Sequence, residues 1–434
     1  MSLALIGFLT IVIMLTLIMT KRLQTLLALI LVPIIGCLVA GQGAKLGEFI
    51  TEGLQNIAPT GVMFIFAILF FGVMSDAGTF DPIVKGILKV VGKDPVKICI
   101  GTFLLAAIVH LDGSGAVTFL IAIPALLPLY QKLGMRNTTL ATLVALGAGI
   151  MNMLPWGGPT LRAITAMKSD INGVFIPMLI PMAAGFISIL VIAVFLGRAE
   201  KKRLGDTLND ICLEELEEEA DPEAEALKRP KLFPVNLILI ILAVFVMLKS
   251  ILPPAVVFMI GTALALIINY PNISVQKERV DSHAKAALMM ASMLFAAGSF
   301  IGIMQGSGML TAIAKAIVNF IPISLGGFIP ILVGVLGVPL SLVFDPDSYY
   351  YGVLPVLSQA VDMMGGDPLA IARASIAGQM TLGFPISPLT GATFLLIGLA
   401  GVDLAEHQKK TLPLAWAASI VVVITATITG VIAF

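Results

Sequence analysis

Asp112, Asp345 and Asp347 stand inside long apolar stretches, in the segments His110-Leu111-Asp112-Gly113-Ser114-Gly115 and Phe344-Asp345-Pro346-Asp347-Ser348-Tyr349-Tyr350. A carboxylate in such surroundings is costly, and its retention points to a role. Three roles fit: capping a helix, ligating a cation, or taking up a proton where burial disfavours the charged form. A hard divalent ion would find carboxylate, hydroxyl and carbonyl oxygens at these segments. His110, two residues before Asp112, could share a proton with it or serve as a hydrogen-bonded packing residue. Tyr349, Tyr350 and Tyr351 could send hydroxyls to a ligand or pack as aromatics. Nothing is thiol-based, because Cys37, Cys99 and Cys212 lack paired spacing.

Two further polar breaks interrupt apolar runs, Asn152-Met153-Leu154-Pro155-Trp156-Gly157-Gly158-Pro159-Thr160 and Gly383-Phe384-Pro385-Ile386-Ser387-Pro388-Leu389-Thr390. Each reads as a helix that stops and restarts. Ser387-Pro388 and Asp345-Pro346 fit an N-cap followed by proline at the first helical position, with Ser114 and Gly158-Pro159 as looser matches. Helix N-termini facing one cavity would hold an anion with few basic residues. Arg162, one turn past the first break, could add a bidentate carboxylate contact or snorkel at an interface.

The elements that position these residues are membrane helices. Of 434 residues, 58% are hydrophobic and 12% charged, with mean hydropathy +1.04. That composition excludes a soluble enzyme, and equal numbers of acidic and basic residues, 26 each, give no sign of nucleic-acid binding. Apolar runs of membrane-spanning length predict ten crossings, at 1–20, 24–41, 57–75, 138–168, 174–197, 233–249, 254–270, 286–305, 368–400 and 412–433. The first run lacks a basic leader and a cleavage site, so it reads as a retained helix. Two stretches remain, 97–129 and 327–361, each too long for one span and broken in the middle, and they read as re-entrant hairpins. With Lys21 and Arg22 cytoplasmic, only Lys45, Arg162, Lys168, Lys249, Lys315 and Arg373 of the 26 basic residues fall on or near the other side. Both termini are then expected outside a cell membrane.

Shifting the chain by 230 positions aligns Gly72 with Gly302, Met74 with Met304, Gly78 with Gly308, Lys85 with Lys315, Pro155 with Pro385 and Thr160 with Thr390. The sequence therefore divides into a repeat at 1–197, a charged linker at 198–232 and a second repeat at 233–434. Each copy has five crossings, an interfacial helix (80–92 or 309–321), a hairpin and an interrupted span. An odd number of crossings inverts the second copy and places a binding site near the bilayer midplane. The acidic linker run, Glu214 to Glu225, reads as a solvated tether, and His283 and His407 fall in charged cytoplasmic loops without a role.

LDGSGAVTF at 111–119, NMLPWGGPTLRA at 152–163 and FDPDSYYYGVLP at 344–355 resemble the citrate-divalent metal:proton symporter family, as do LIMTKR near the N-terminus and FDPIVKGIL at 80–88. The family belongs to the ion transporter superfamily. The resemblance implies a homodimer working by an elevator-type movement, with scaffold helices at 1–75 and 233–305 and transport helices at 97–197 and 327–434. It also implies uptake of citrate complexed with a divalent metal such as magnesium or calcium, driven by protons, with no resident cofactor. Matched by motif, it points to Asp112, Ser114, Asn152, Trp156, Gly157, Gly158, Thr160 and Arg162, and to Asp345, Asp347, Ser348, Tyr349, Ser387, Thr390 and Thr393. The three aspartates are then the metal-binding candidates, Asp112 and His110 the proton carriers, and the remainder, with Tyr350, the substrate contacts. One position departs: Ser114 stands where some relatives carry a second acid. The competing readings are a sodium- or proton-coupled carboxylate or gluconate transporter without metal, an intramembrane aspartyl protease, which lacks the needed GxGD, and a passive channel.

Overall fold

The computed structural model describes residues 2–432 apart from 21, 83–85, 87–91, 93, 206–221, 250 and 319–322. Most of the first interfacial helix and most of the acidic linker run lie outside the described residues. All regular structure among the described residues is helical. The first half runs α1 (Leu3–Met19), α2 (Thr25–Val39), α3 (Leu46–Asp76), α4 (Pro95–Val109), α5 (Gly115–Lys132), α6 (Asn137–Met151), α7 (Gly158–Ala166) and α8 (Leu179–Leu204). The second runs α9 (Phe233–Leu248), α10 (Pro254–Asn269), α11 (Ile273–Gly306), α12 (Met309–Val318), α13 (Ile329–Leu340), α14 (Leu354–Met363), α15 (Pro368–Ile376), α16 (Gly391–Ala400) and α17 (Leu404–Ile428). Leu3 and Phe233 open α1 and α9, and Asp76 and Gly306 close α3 and α11, each pair 230 positions apart.

Among the described residues, seven helical segments are long and apolar enough to cross a membrane, and six shorter apolar helices accompany them. Many exposed side chains on these helices are large and apolar, Phe195, Ile238, Phe245 and Ile267 among them, as expected where the surrounding solvent is lipid. The chain is a multi-pass membrane protein. Helix starts follow local chemistry: Asp94, Asp367 and Asp403 accept the backbone N–H two residues on at 3.2, 2.9 and 2.8 Å. Proline follows the first two caps, where its missing N–H costs nothing.

α3 and α11, of 31 and 34 residues, form the central crossing. They begin well before the spans expected at 57 and 286, because acidic and basic residues such as Glu48, Glu278 and Lys285 ride on extra helical turns. Glycine permits the close approach: a Cβ on Gly53 would overlap the carbonyl oxygen of Gly298, and one on Gly302 that of Phe49. At the other end of the crossing Gly72 lies against the ring of His283. α3 also packs on α10, and α11 on α2. A second group of helices surrounds the two breaks, with α8 packed on α4 and α17, α6 on α4, and α13 on α15 and α17.

Three expectations change. His283 sits within α11, where its Nε2 lies 2.9 Å from Asp76 Oδ2, and His407 is buried in α17; both are helical because the charged stretches around them continue the spans rather than looping. The end of the linker is fastened, not free. Arg229 N–H donates to Ala77 O at 2.9 Å, its Nε to Asn269 O at 3.0 Å, and its guanidinium lies 5.0 Å from the Tyr270 ring centre. Lys228 pairs with Asp81 at 2.8 Å and with Glu225. Burial works against the Lys228 ammonium, but the hydrogen bonds and charges of Asp81 and Glu225 raise its pKa.

Candidate functional site

The first tip is a single 3-10 turn, His110–Asp112, closed by Gly113 at φ 75°, a conformation that favours glycine. Asp112 Oδ1 accepts the Ser114 N–H at 2.8 Å, and Ser114 then caps α5, its Oγ accepting the Val117 N–H at 3.3 Å. Ser114 is thus a fuller cap than its sequence context suggests. His110, fully buried, hydrogen-bonds through Nδ1 to Thr118 Oγ1 at 2.8 Å, and its Nε2 lies 3.5 Å from Asn152 Oδ1. Its imidazole is engaged away from Asp112, so the structure does not bring the two together as a proton-sharing pair.

The first break joins this tip through Trp156, whose Nε1 donates to Leu111 O at 2.8 Å. The indole also packs on Phe71 of α3 and Phe258 of α10, with ring centres 5.3 and 5.7 Å away. Gly157 is the N-cap of α7 and leaves no room for a side chain, since a Cβ would overlap Asn152 O. Thr160 turns its hydroxyl back onto Met153 O at 2.8 Å, closing the break internally.

The second break spans the residues between α15 and α16. Met380 adopts φ 52°, unusual for a residue with a side chain, and its N–H donates to Ser341 Oγ at 2.9 Å. Ser387 Oγ accepts from Leu389 N–H at 3.2 Å, but the helix starts at Gly391, later than Ser387-Pro388 predicts. The cause is Phe384 O, which accepts from both Thr390 Oγ1 and Thr393 Oγ1 at 2.9 Å and holds the chain in a turn. The two breaks touch: Asn152 Nδ2 donates to Met380 O at 2.9 Å, and the Phe384 ring stacks 5.9 Å from His110.

At the second tip Asp345 Oδ1 accepts the Ser348 N–H at 2.7 Å, and residues 348–353 form a π-helical turn leading into α14. Asp345 therefore caps this helix, with Pro346 at its first position as the sequence predicts. Asp347 pairs with Arg162, Nε to Oδ1 at 2.7 Å, with 12% and 11% of the side chains exposed. Arg162 Nη1 also donates to Gly158 O at 3.2 Å. The guanidinium thus faces the second tip instead of snorkelling. Tyr349 and Tyr350 do not reach toward a ligand: both are fully buried, with Tyr349 OH 2.9 Å from Ser375 Oγ and Tyr350 OH donating to Gln379 O at 2.8 Å. They fasten the tip to α15 and its end.

No group of three or more His, Cys, Asp or Glu side chains among the described residues is arranged to hold a metal. Asp112, Asp345 and Asp347 are not assembled into one cluster, and each has a protein partner. Local pattern did not single out His407, Gln408, Gln379 or Thr381. His407 Nε2 lies 2.9 Å from Pro385 O and Gln408 Nε2 donates to Ile386 O at 2.9 Å, so α17 grips the second break. The signal for His407 is helical spacing: with Thr411, Ala415 and Val422 it falls on the buried stripe of α17. Gln379 is fully buried with both amide atoms lacking a protein partner, and the Thr381 hydroxyl is in the same condition.

These features can hold an anion against helix starts and one arginine, and a cation against carboxylates. A family model described as "Citrate transporter" matches residues 1–378, which include both tips and the first break. A citrate transporter of Bacillus subtilis (strain 168) is 42% identical over 432 residues, covering 100% of each chain. A Mg(2+)/citrate complex secondary transporter of the same organism is 42% identical over 428 residues, covering 98% of this chain and 97% of its own. In fold, the chain is similar to the crystal structure of the Alcanivorax borkumensis YdaH transporter, with a TM-score of 0.63 at 15% identity, covering 99% of this chain and 98% of that one. It is a transporter and not an enzyme, and it belongs to the citrate transporter family.

Proposed function

We propose that the protein is a secondary active symporter that takes up citrate as its complex with a divalent metal, driven by protons. The observation that carries this reading is the charge of the site: Arg162 is already paired with Asp347, while Asp112 and Asp345 stand at the tips. Such a site repels bare trivalent citrate. A divalent cation reduces the net charge to about −1, which lowers the cost of desolvation in a membrane. The relative that carries a Mg(2+)/citrate complex supports magnesium as one cargo metal.

The transport cycle we infer is elevator-like alternating access by a homodimer of inverted repeats, with α4–α5 and α13–α14 as re-entrant hairpins and both termini outside the cell membrane. The 230-residue displacement of element bounds supports the repeat. So does the packing of α3 on α11: exchanging halves turns the Gly53–Gly302 contact into the His283–Gly72 contact, and both occur. An inward-facing arrangement fits the depth of the site, because Trp156 lies beside Phe71, near the C-terminal end of α3. A cavity of about 420 Å³ then remains toward the other end, lined by Asn56, Thr60, Ile164, Asp170, Met247 and Pro254 among others.

Uptake of labelled citrate into liposomes holding the purified protein tests this, under a proton gradient with magnesium, calcium, manganese, zinc or no metal. Metal-dependent uptake that a protonophore abolishes supports the proposal. Uptake indifferent to divalent ions but dependent on sodium overturns it in favour of sodium-coupled carboxylate transport.

A further inference from the structure

We propose that the Arg162–Asp347 pair is the selectivity element for the cargo: it opens only to a ligand that brings a metal cation and a carboxylate together. This inference rests on the transport of a metal–citrate complex proposed above and deepens it. Arg162 comes from α7, just past the first break, and Asp347 from the second tip, 185 positions away, so the pair bridges the two halves of the site. Its 2.7 Å bond is almost removed from solvent, with 11% and 12% of the side chains exposed.

A buried ion pair is tolerated only while both members remain compensated, and stranding one is far more damaging than removing both. Free citrate could take Arg162 from Asp347, but it would leave Asp347 beside a further anion. A bare divalent ion could take Asp347, but it would leave the guanidinium unpaired. A chelate of a hydroxytricarboxylate supplies both replacements at once: the metal meets Asp347, and a carboxylate not fully occupied by the metal meets the guanidinium fork. The pair is thus exchanged for two new pairs, and no charge is stranded. Discrimination comes from the resting contact itself, without a preassembled metal cage. That agrees with the absence, among the described residues, of any three-ligand cluster.

Equilibrium binding of labelled citrate to the purified full-length protein in nanodiscs, with and without magnesium, separates the possibilities. The wild type is expected to bind citrate at least about tenfold more tightly with magnesium than without, a difference typical of coupled binding. Asp347→Asn frees Arg162, so metal-free citrate should bind more tightly than in the wild type and the magnesium preference should fall to about threefold or less. Arg162→Gln should lose affinity for the complex while binding manganese alone more tightly, read by the electron paramagnetic signal of the free ion. The double variant Arg162→Gln/Asp347→Asn strands no charge and serves if a single variant fails to fold; it should bind weakly with no magnesium preference. A preference that stays at the wild-type ratio in Asp347→Asn, or in the double variant, overturns the inference while leaving metal–citrate transport standing. If the wild type binds citrate equally well without any metal, the proposed cargo fails and this inference fails with it.

Discussion

Asn152 donates its amide N–H to the carbonyl of Met380 at 2.9 Å, so the two interruptions of otherwise apolar helices hold each other. Neither break is a loose end: the Met380 carbonyl of the second break is met from the first half, and within the first break Thr160 meets Met153 O, as a membrane interior demands. Asn152→Leu removes the donor and leaves a buried carbonyl unmet, at a cost of about 1–3 kcal/mol. We expect a lower Tm by thermal unfolding in detergent and a drop in citrate binding. An unchanged Tm would show that the breaks are held by other contacts.

Asp112→Asn separates charge from shape. The amide oxygen can still accept the Ser114 N–H, so the tip should keep its fold while losing its carboxylate. Coupled transport should be abolished with the thermal stability almost intact. Proton-driven uptake at the wild-type rate would remove Asp112 from the mechanism.

Gly302→Ala tests the central crossing. The added methyl meets only backbone, the carbonyl of Phe49 and the main chain of Gly53, and no flexible side chain can yield. Overpacking of this kind costs about 1–3 kcal/mol or more, and folded protein recovered after size-exclusion chromatography should fall sharply. Gly47→Ala is the control, since nothing lies within 4 Å of its added Cβ, and it should be neutral or slightly stabilising.

His407→Ala leaves Pro385 O without its partner on α17 and should weaken citrate binding severalfold, with a stability loss of about 1 kcal/mol. His407→Gln retains a donor and should recover most of the loss. Equal defects in the two variants would mean that the ring's packing, not its hydrogen bond, matters.

The apolar runs, the glycines and prolines of the breaks and the aspartate caps were legible in the sequence because each acts over a few residues. Ser114 illustrates this: the accepting hydroxyl, the helix start at Gly115 and the donating Val117 N–H lie within four positions. What the sequence left open depends on distant partners. Arg162 finds Asp347, and Asn152 finds Met380, only once the two halves fold against each other. The late start of α16 escaped local reading for a related reason, since a proline after serine marks a permitted helix start but cannot weigh it against Phe384 O collecting two threonine hydroxyls. Of the two roles open to the tyrosines, residue type could not choose: the hydroxyls of Tyr349 and Tyr350 are buried against Ser375 and Gln379, partners that only the folded chain brings near.

The indole of Trp156 has a consequence for timing. It hangs from the first tip by its N–H and lies against Phe71 and Phe258 with its rings. Any displacement of the tip along α3 must strip those aromatic faces apart before new contacts form, at about 0.5–1.5 kcal/mol for each. On the alternating-access cycle proposed above, the residue would act as a brake on turnover: smaller side chains there should quicken the passage between states and shorten the dwell in the arrangement seen here.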